Sequence, residues 1–234
     1  MSDEKLNALY KKAIEIEQCS KSPRLQLIHN QKLYCEVGLG TYYPESTKYM
    51  FISLNPGSNS YLNEQQNPSE ACSQHPTFAQ YLDFRFRYAI NMRKIITAFA
   101  ETKGISYEES LVQFGTTDLS IFHSQNTSDL KESFFVEVKE SLPILIEDLS
   151  ISKLQALILS GVNYETFFYN LYKQGSPIIG HYYKNTKQDW VVSFRTTLIN
   201  NREYDVYFIT HISATRGMLD SSLYSIGHEL AKRL

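Results

Sequence analysis

Apolar residues fall into two periods along this chain, and the changes of period mark its elements. Leu6, Leu9, Tyr10, Ala13 and Ile14 recur at helical spacing, so residues 4–18 read as an amphipathic helix. Residues 24–34 read as a second helix. The period then shortens, and 49–54 is a compact apolar run with the length of a strand. A polar stretch follows at 58–76, dominated by Asn, Gln and Ser and longer than an ordinary connection. Residues 77–101 read as a helix, with Ile90, Ile95, Ile96 and Phe99 among its apolar positions, and 118–122 as a strand. Residues 133–149 read as helical, with Pro143 either kinking the helix or starting a new one. A near-continuous apolar strand at 154–160 ends on Gly161, and a helix at 164–173 is stopped by Gly175. Strands at 190–199 and 204–210 are expected to pair as a hairpin. A helix over 221–234, with Ser at its start and Lys and Arg in its last turn, closes the chain.

Short apolar strands alternating with helices imply an α/β fold: a mostly parallel sheet of about four strands, covered on both faces, plus a hairpin. Ligands of such sheets bind beyond the carboxyl ends of the strands. Asn55, His123 and His211 are the polar side chains best placed there. Without repeats or a clear linker, the economical reading is one domain over 1–234, with 1–48 as a helical extension packed on it.

Composition changes this picture little. With 42% hydrophobic and 21% charged residues the chain is globular, and its net charge of −2 excludes a globally basic protein. Cys19, Cys35 and Cys72 are far apart and form no CxxC pair, so neither zinc nor an iron–sulfur cluster is expected. Unclustered thiols and no recognisable leader suggest a cytoplasmic location. No apolar run approaches the roughly 18 residues of a membrane span. Phosphate loops of the GxGxxG or GxxxxGK[ST] type and the GxSxG elbow are missing, which disfavours nucleotide-cofactor enzymes and serine hydrolases. No cofactor is expected.

The candidate chemistry sits at the strand ends. The run Phe51-Ile-Ser-Leu-Asn-Pro-Gly-Ser58 stops a strand on an amide, since Pro removes a donor and Gly opens the left-handed region. Far downstream a terminal strand ends on His211-Ile212-Ser213, with Leu157-Ile-Leu-Ser-Gly161 between the two. In order and strand context these motifs resemble the uracil-DNA glycosylase superfamily, over roughly residues 49–233. Asn55-Pro56-Gly57 is most similar to the mismatch-specific and single-strand-selective branches, and the iron–sulfur branches are disfavoured by the absent cysteines.

The resemblance implies a three-layer αβα sandwich and a hydrolase of base excision repair that acts on N-glycosyl bonds. Such an enzyme flips a deaminated or mismatched, uracil-like base out of DNA and excises it. Asn55 would position the attacking water. His211 would donate a hydrogen bond to the base oxygen as negative charge develops there. Gly57 stands where the classical branch carries a tyrosine, so the C5 edge of the base would be open to larger substituents. The residue-level alternatives are a turn-stabilising Asn and an ordinary histidine at a sheet end.

The chain departs from the family pattern in three places. Ile212 replaces the usual proline, so the loop is expected to be less rigid. Asp118 stands where an amide reads the pyrimidine edge, and an ionised carboxylate can only accept. Three readings follow: Asp118 is protonated, the base is not uracil, or His123 or Ser124 reads the base. The stacking aromatic is also displaced; Tyr61, Phe78 and Tyr81 compete, and Phe78 is favoured.

On the DNA side, a flipped nucleotide needs a loop that fills the gap. Ser213, Thr215, Arg216 and Met218 occupy the corresponding position. Arg85, Arg87, Arg93 and Lys94, together with Lys184, Lys187, Arg195 and Arg202, suggest a basic face beside the motifs, while residues 129–148 are acidic. The alternative function is a glycosylase-fold protein that binds DNA or a protein partner without excising bases.

Overall fold

The computed structural model describes residues 3–41, 46–53, 62–124, 133–150, 154–160, 179–182, 191–197, 203–209, 212 and 220–234. They group into two compact units. One comprises Met1–Tyr42, Ser53–His75 and Thr116–Ile151, and the other Tyr43–Ile52, Pro76–Gly115 and Ser152–Leu234.

The first unit begins with helix α1 (Asp3–Gln18), whose Leu6, Leu9, Tyr10, Ala13 and Ile14 are buried as the spacing requires. Helix α2 (Pro23–His29) starts on Ser22, whose side chain accepts from Leu25 N, with proline in the first turn. It is shorter than expected. Beyond His29 the chain turns through Lys32, at φ 62°, into strand β1 (Tyr34–Cys35). Strand β1 pairs antiparallel with β3 (Leu62–Asn63), and helix α3 (Pro68–Ser73) follows. The expected long connection therefore holds two short elements. Asn67 caps α3 through its side-chain oxygen, a local signal inside an otherwise polar run.

Glu17 is completely buried and joins these pieces. It accepts from His29 Nε2 at 2.9 Å, Cys35 N at 2.7 Å and Gln66 Nε2 at 3.0 Å, which satisfies a carboxylate that burial would otherwise penalise. Helix α7 (Phe134–Ser150) is continuous, with Pro143 inside it.

The second unit holds helices α4 (Phe78–Asp83), α5 (Arg87–Lys103), α6 (Tyr107–Leu111) and α8 (Asp220–Arg233). The single helix expected at 77–101 is two helices, because Phe84 and Phe86 are both extended. Reciprocal bonds between Thr77 and Gln80 open α4, and α5 closes on left-handed Gly104 at φ 65°.

The main sheet contains β2 (Tyr49–Ser53), β4 (Phe114–Asp118), β5 (Ala156–Ser160), β6 (Ile179–Tyr182), β7 (Val191–Thr197) and β8 (Glu203–Ile209), in the order β4-β2-β5-β8-β7-β6. The chain is thus α/β with a four-strand parallel part, consistent with a three-layer sandwich. β7 pairs antiparallel with β8 as the expected hairpin, and β6 adds a further antiparallel strand. Phe51, Ile158 and Tyr207 lie on one face, in one core with Met92, Ile95 and Phe99 of α5 and Ile226 and Leu230 of α8. Met50, Ile52, Leu157, Leu159, Val206 and Phe208 alternate with them and are buried too, so the central strands are apolar on both faces.

The position of β4 corrects the expected strand at 118–122: Asp118 is the last residue of that strand. Gly115-Thr116-Thr117 looks turn-like, but buried, β-branched threonines suit a sheet. β4 ends the strand order, and its outer side is covered by segment 36–41. Thr41 N donates to Thr116 O, Gly38 N to Ile121 O and His123 N to Glu36 O, which pairs groups that an open edge would expose.

Candidate functional site

In the first unit, the carboxyl ends of β2 and β4 meet. Ser53 Oγ donates to Asp118 Oδ1 at 2.5 Å, and Leu119 N donates to Ser53 O at 2.9 Å. Burial pushes the Asp118 carboxyl up from its usual 3.8 to about 6, against the opposing pull of the Ser53 hydroxyl. Below that value Asp118 is a neutral acid with one donor and one acceptor, the pairing capacity of an amide. Above it, the group only accepts.

The segment after Asp118 is fixed from behind by a buried ion pair. Arg24 donates to Glu137 through Nε at 2.9 Å and Nη2 at 3.0 Å, and through Nη1 to the His123 carbonyl at 2.9 Å. Ser22 Oγ donates to Glu137 Oε1 at 2.7 Å. Cys35 Sγ also reaches His123 O, at 3.2 Å. Burial pushes the Cys35 thiol up to about 12, which removes it as a nucleophile and leaves it a packing residue.

The His123 main chain is therefore anchored. Nδ1 is buried without a hydrogen-bond partner among the described residues, 3.9 Å from Glu36 Oε2. Burial, reinforced by the Arg24 charge, lowers the imidazole to about 4, so it is neutral at physiological pH. Ser124 beside it is buried.

In the second unit, the chain beyond β8 is tied down at Ile212. Its N–H donates to Ser160 Oγ at the end of β5, at 3.0 Å, and its carbonyl accepts from Asn91 Nδ2 of α5 at 2.5 Å. The Ile212 side chain lies in the core. The rest of the loop expected to be less rigid lies outside the described residues. Isoleucine supplies the N–H that proline lacks, and a buried hydroxyl accepts it.

Of the residues singled out from sequence, Asn55, Gly57, Tyr61, His211, Ser213, Thr215, Arg216 and Met218 lie outside the described residues. Phe78 is 4% exposed and belongs to the core, with its ring parallel to that of Tyr81, so packing accounts for its position. Asp118, His123 and Ser124 all belong to the first unit. Ser53, Ser160, Asn91, Arg24 and Glu137 were not foreseen. Ser53 and Ser160 do stand inside the motif runs, one place short of Leu54 and Gly161, and an apolar strand that ends on serine was the available signal.

Among the described residues, no group of three or more His, Cys, Asp or Glu is placed to hold a metal, and no helix is long and apolar enough to cross a membrane. The chain matches no protein-family model and no curated protein.

Proposed function

We propose that the protein is a DNA glycosylase of the uracil-DNA glycosylase type, which hydrolyses the bond between a flipped, uracil-like base and its sugar. The observation that carries this reading is the register of the three motif-bearing strands. β2, β5 and β8 are adjacent and parallel, and Ile52, Leu159 and Phe208 lie level across them. Asn55 and His211 each follow three residues after that level. The strands leading to them are two places apart, about 10 Å. The three runs that carry the resemblance are therefore neighbouring parallel strands of one sheet.

In this mechanism Asn55 holds a water below the sugar, and His211 donates to the base oxygen as the bond breaks. The charge that develops on the leaving base is stabilised by about a few kcal/mol. Asp118, once protonated, offers a donor and an acceptor to the pyrimidine edge. The fold assignment to this superfamily is part of the same proposal.

An abasic-site assay across oligonucleotides carrying uracil, hypoxanthine, xanthine or a thymine mismatch tests the reading, with Asn55→Ala as the control. Release of a base by the wild type and its loss in the variant support it. No abasic sites with any substrate would overturn it. The Asp118 carboxylate favours a second reading, a fold that binds DNA without excision, which would show salt-dependent affinity and no abasic product.

A further inference from the structure

The break between α4 and α5 reads Tyr81-Leu82-Asp83-Phe84-Arg85-Phe86-Arg87, and its exposure pattern is unusual. Phe84 is 47% and Phe86 42% exposed, and Arg85 and Arg87 are exposed as well. The backbone is extended at both phenylalanines, with φ, ψ of −62°, 143° and −84°, 150°. Side chains two apart in an extended chain share one side. The two rings accordingly stand 5.7 Å apart.

These rings are braced. Tyr81 meets Phe84 edge-on at 6.0 Å and Phe86 at 5.1 Å, and it lies parallel to the buried Phe78 at 6.5 Å. A single exposed phenylalanine needs no explanation. Here two exposed rings pack against Tyr81 and alternate in sequence with arginines.

We infer that this corner is a stacking platform for a single-stranded nucleic acid, with bases on Phe84 and Phe86 and phosphates on Arg85 and Arg87. Aromatic faces accept any base, and arginine forks match phosphate oxygens. Each ring is followed in the chain by an arginine, so aromatic and phosphate-binding groups share this corner. Arg85 and Arg87 bring to this corner donors that phosphate oxygens match and a purely apolar partner would not. Phe86 also occupies the N-cap position of α5 with no side-chain oxygen to offer, which leaves the positive end of that helix beside the arginines. The inference deepens the proposed function by giving the strand a track, and rests on it only for a preference for DNA.

The test is fluorescence anisotropy of the full chain with strands of roughly 15 nucleotides: oligo-dT, oligo-rU and an abasic deoxyribose-phosphate strand. Phe84→Ala with Phe86→Ala is expected to weaken both base-bearing strands about tenfold or more and the abasic strand little. Phe84→Leu with Phe86→Leu keeps the apolar bulk, guards against unfolding, and is expected to lose the same affinity. Arg85→Gln with Arg87→Gln should weaken all strands and flatten the log-affinity against log-salt slope by roughly 1.4.

Wild-type affinity in both phenylalanine pairs, or an equal loss on the abasic strand, would overturn the inference. So would a phenylalanine-pair loss seen only on phosphatidylserine vesicles, assayed by sedimentation beside the strands. Tighter binding of oligo-dT or of oligo-rU supports the platform in either case, and a preference for rU counts against the glycosylase reading alone. If the platform exists without excision, the phenylalanine pair weakens binding although no base is released. If excision exists without the platform, bases are released and the pair binds as wild type.

Discussion

Ser160 Oγ accepts the N–H of Ile212 at 3.0 Å, which ties the end of β5 to the chain just beyond β8. Asn91 secures the other side of the same residue by donating to its carbonyl. Both groups of Ile212 are buried and could not find water instead. Ser160→Ala and Asn91→Ala are therefore each expected to cost about 1–3 kcal/mol in urea unfolding. If the glycosylase reading holds, both variants also lower excision at saturating substrate more than they weaken DNA binding, because His211 adjoins the anchored residue. Unchanged unfolding midpoints would show that the two bonds carry nothing.

Asp118 makes stability depend on pH. Its folded value of about 6 lies above the usual 3.8, so between those values the folded chain keeps a proton that the unfolded chain has lost. Stability then falls as pH rises through that window. Asp118→Asn should flatten the fall and raise stability at pH 7 by about 1–2 kcal/mol, with little effect near pH 4. Ser53→Ala removes the hydrogen bond that opposes the shift and should push the carboxyl higher still. Under the proposed function, uracil excision by the wild type rises as pH drops through about 6, and Asp118→Asn retains it at neutral pH. A variant with the wild-type pH profile would refute the assignment.

The pair Arg24–Glu137 is a buried ion pair whose removal should be uneven. Glu137 is fully buried, and its carboxylate is held by Arg24 and Ser22. Arg24→Ala or Glu137→Ala leaves one charge without its partner, and each is expected to cost about 3–5 kcal/mol. The double replacement Arg24→Met, Glu137→Leu should cost less than either single change. A double-mutant cycle by urea unfolding measures the coupling, and simple additivity would contradict this account.

Two glycines with positive φ should respond differently to alanine. At Gly40, φ is +80° and a Cβ would lie 2.3 Å from Thr116 O and 2.7 Å from Thr117 Cα, both backbone atoms. No rotamer relieves that contact, so Gly40→Ala is expected to cost more than about 2 kcal/mol and to loosen segment 36–41 from β4. At Gly104, φ is +65° but nothing lies within 4 Å, so Gly104→Ala should cost only about 1 kcal/mol. Thermal melting separates the two, and equal shifts would be inconsistent with the packing described.

Sequence alone determined the elements whose apolar period is long or unbroken. Helix α1, the strands β2 and β5, the β7–β8 hairpin and the last helix all follow from local pattern, because burial of one face or both imposes a period on the residues. The α/β class followed from their alternation. What remained illegible was whatever depends on partners distant in the chain. Strand β4 forms over Phe114–Asp118 because β2 and segment 36–41 pair with it, although its glycine and threonines look locally like a turn. The proton affinity of Asp118 is set by burial and by Ser53, a residue 65 positions away. The anchoring of Ile212 needs a serine from β5 and an asparagine from α5, and packing decided that Phe78 is core while Phe84 and Phe86 face solvent. Periodicity records which side of an element is apolar; only the assembled chain fixes which polar groups meet there, and desolvation at those meetings sets their chemistry.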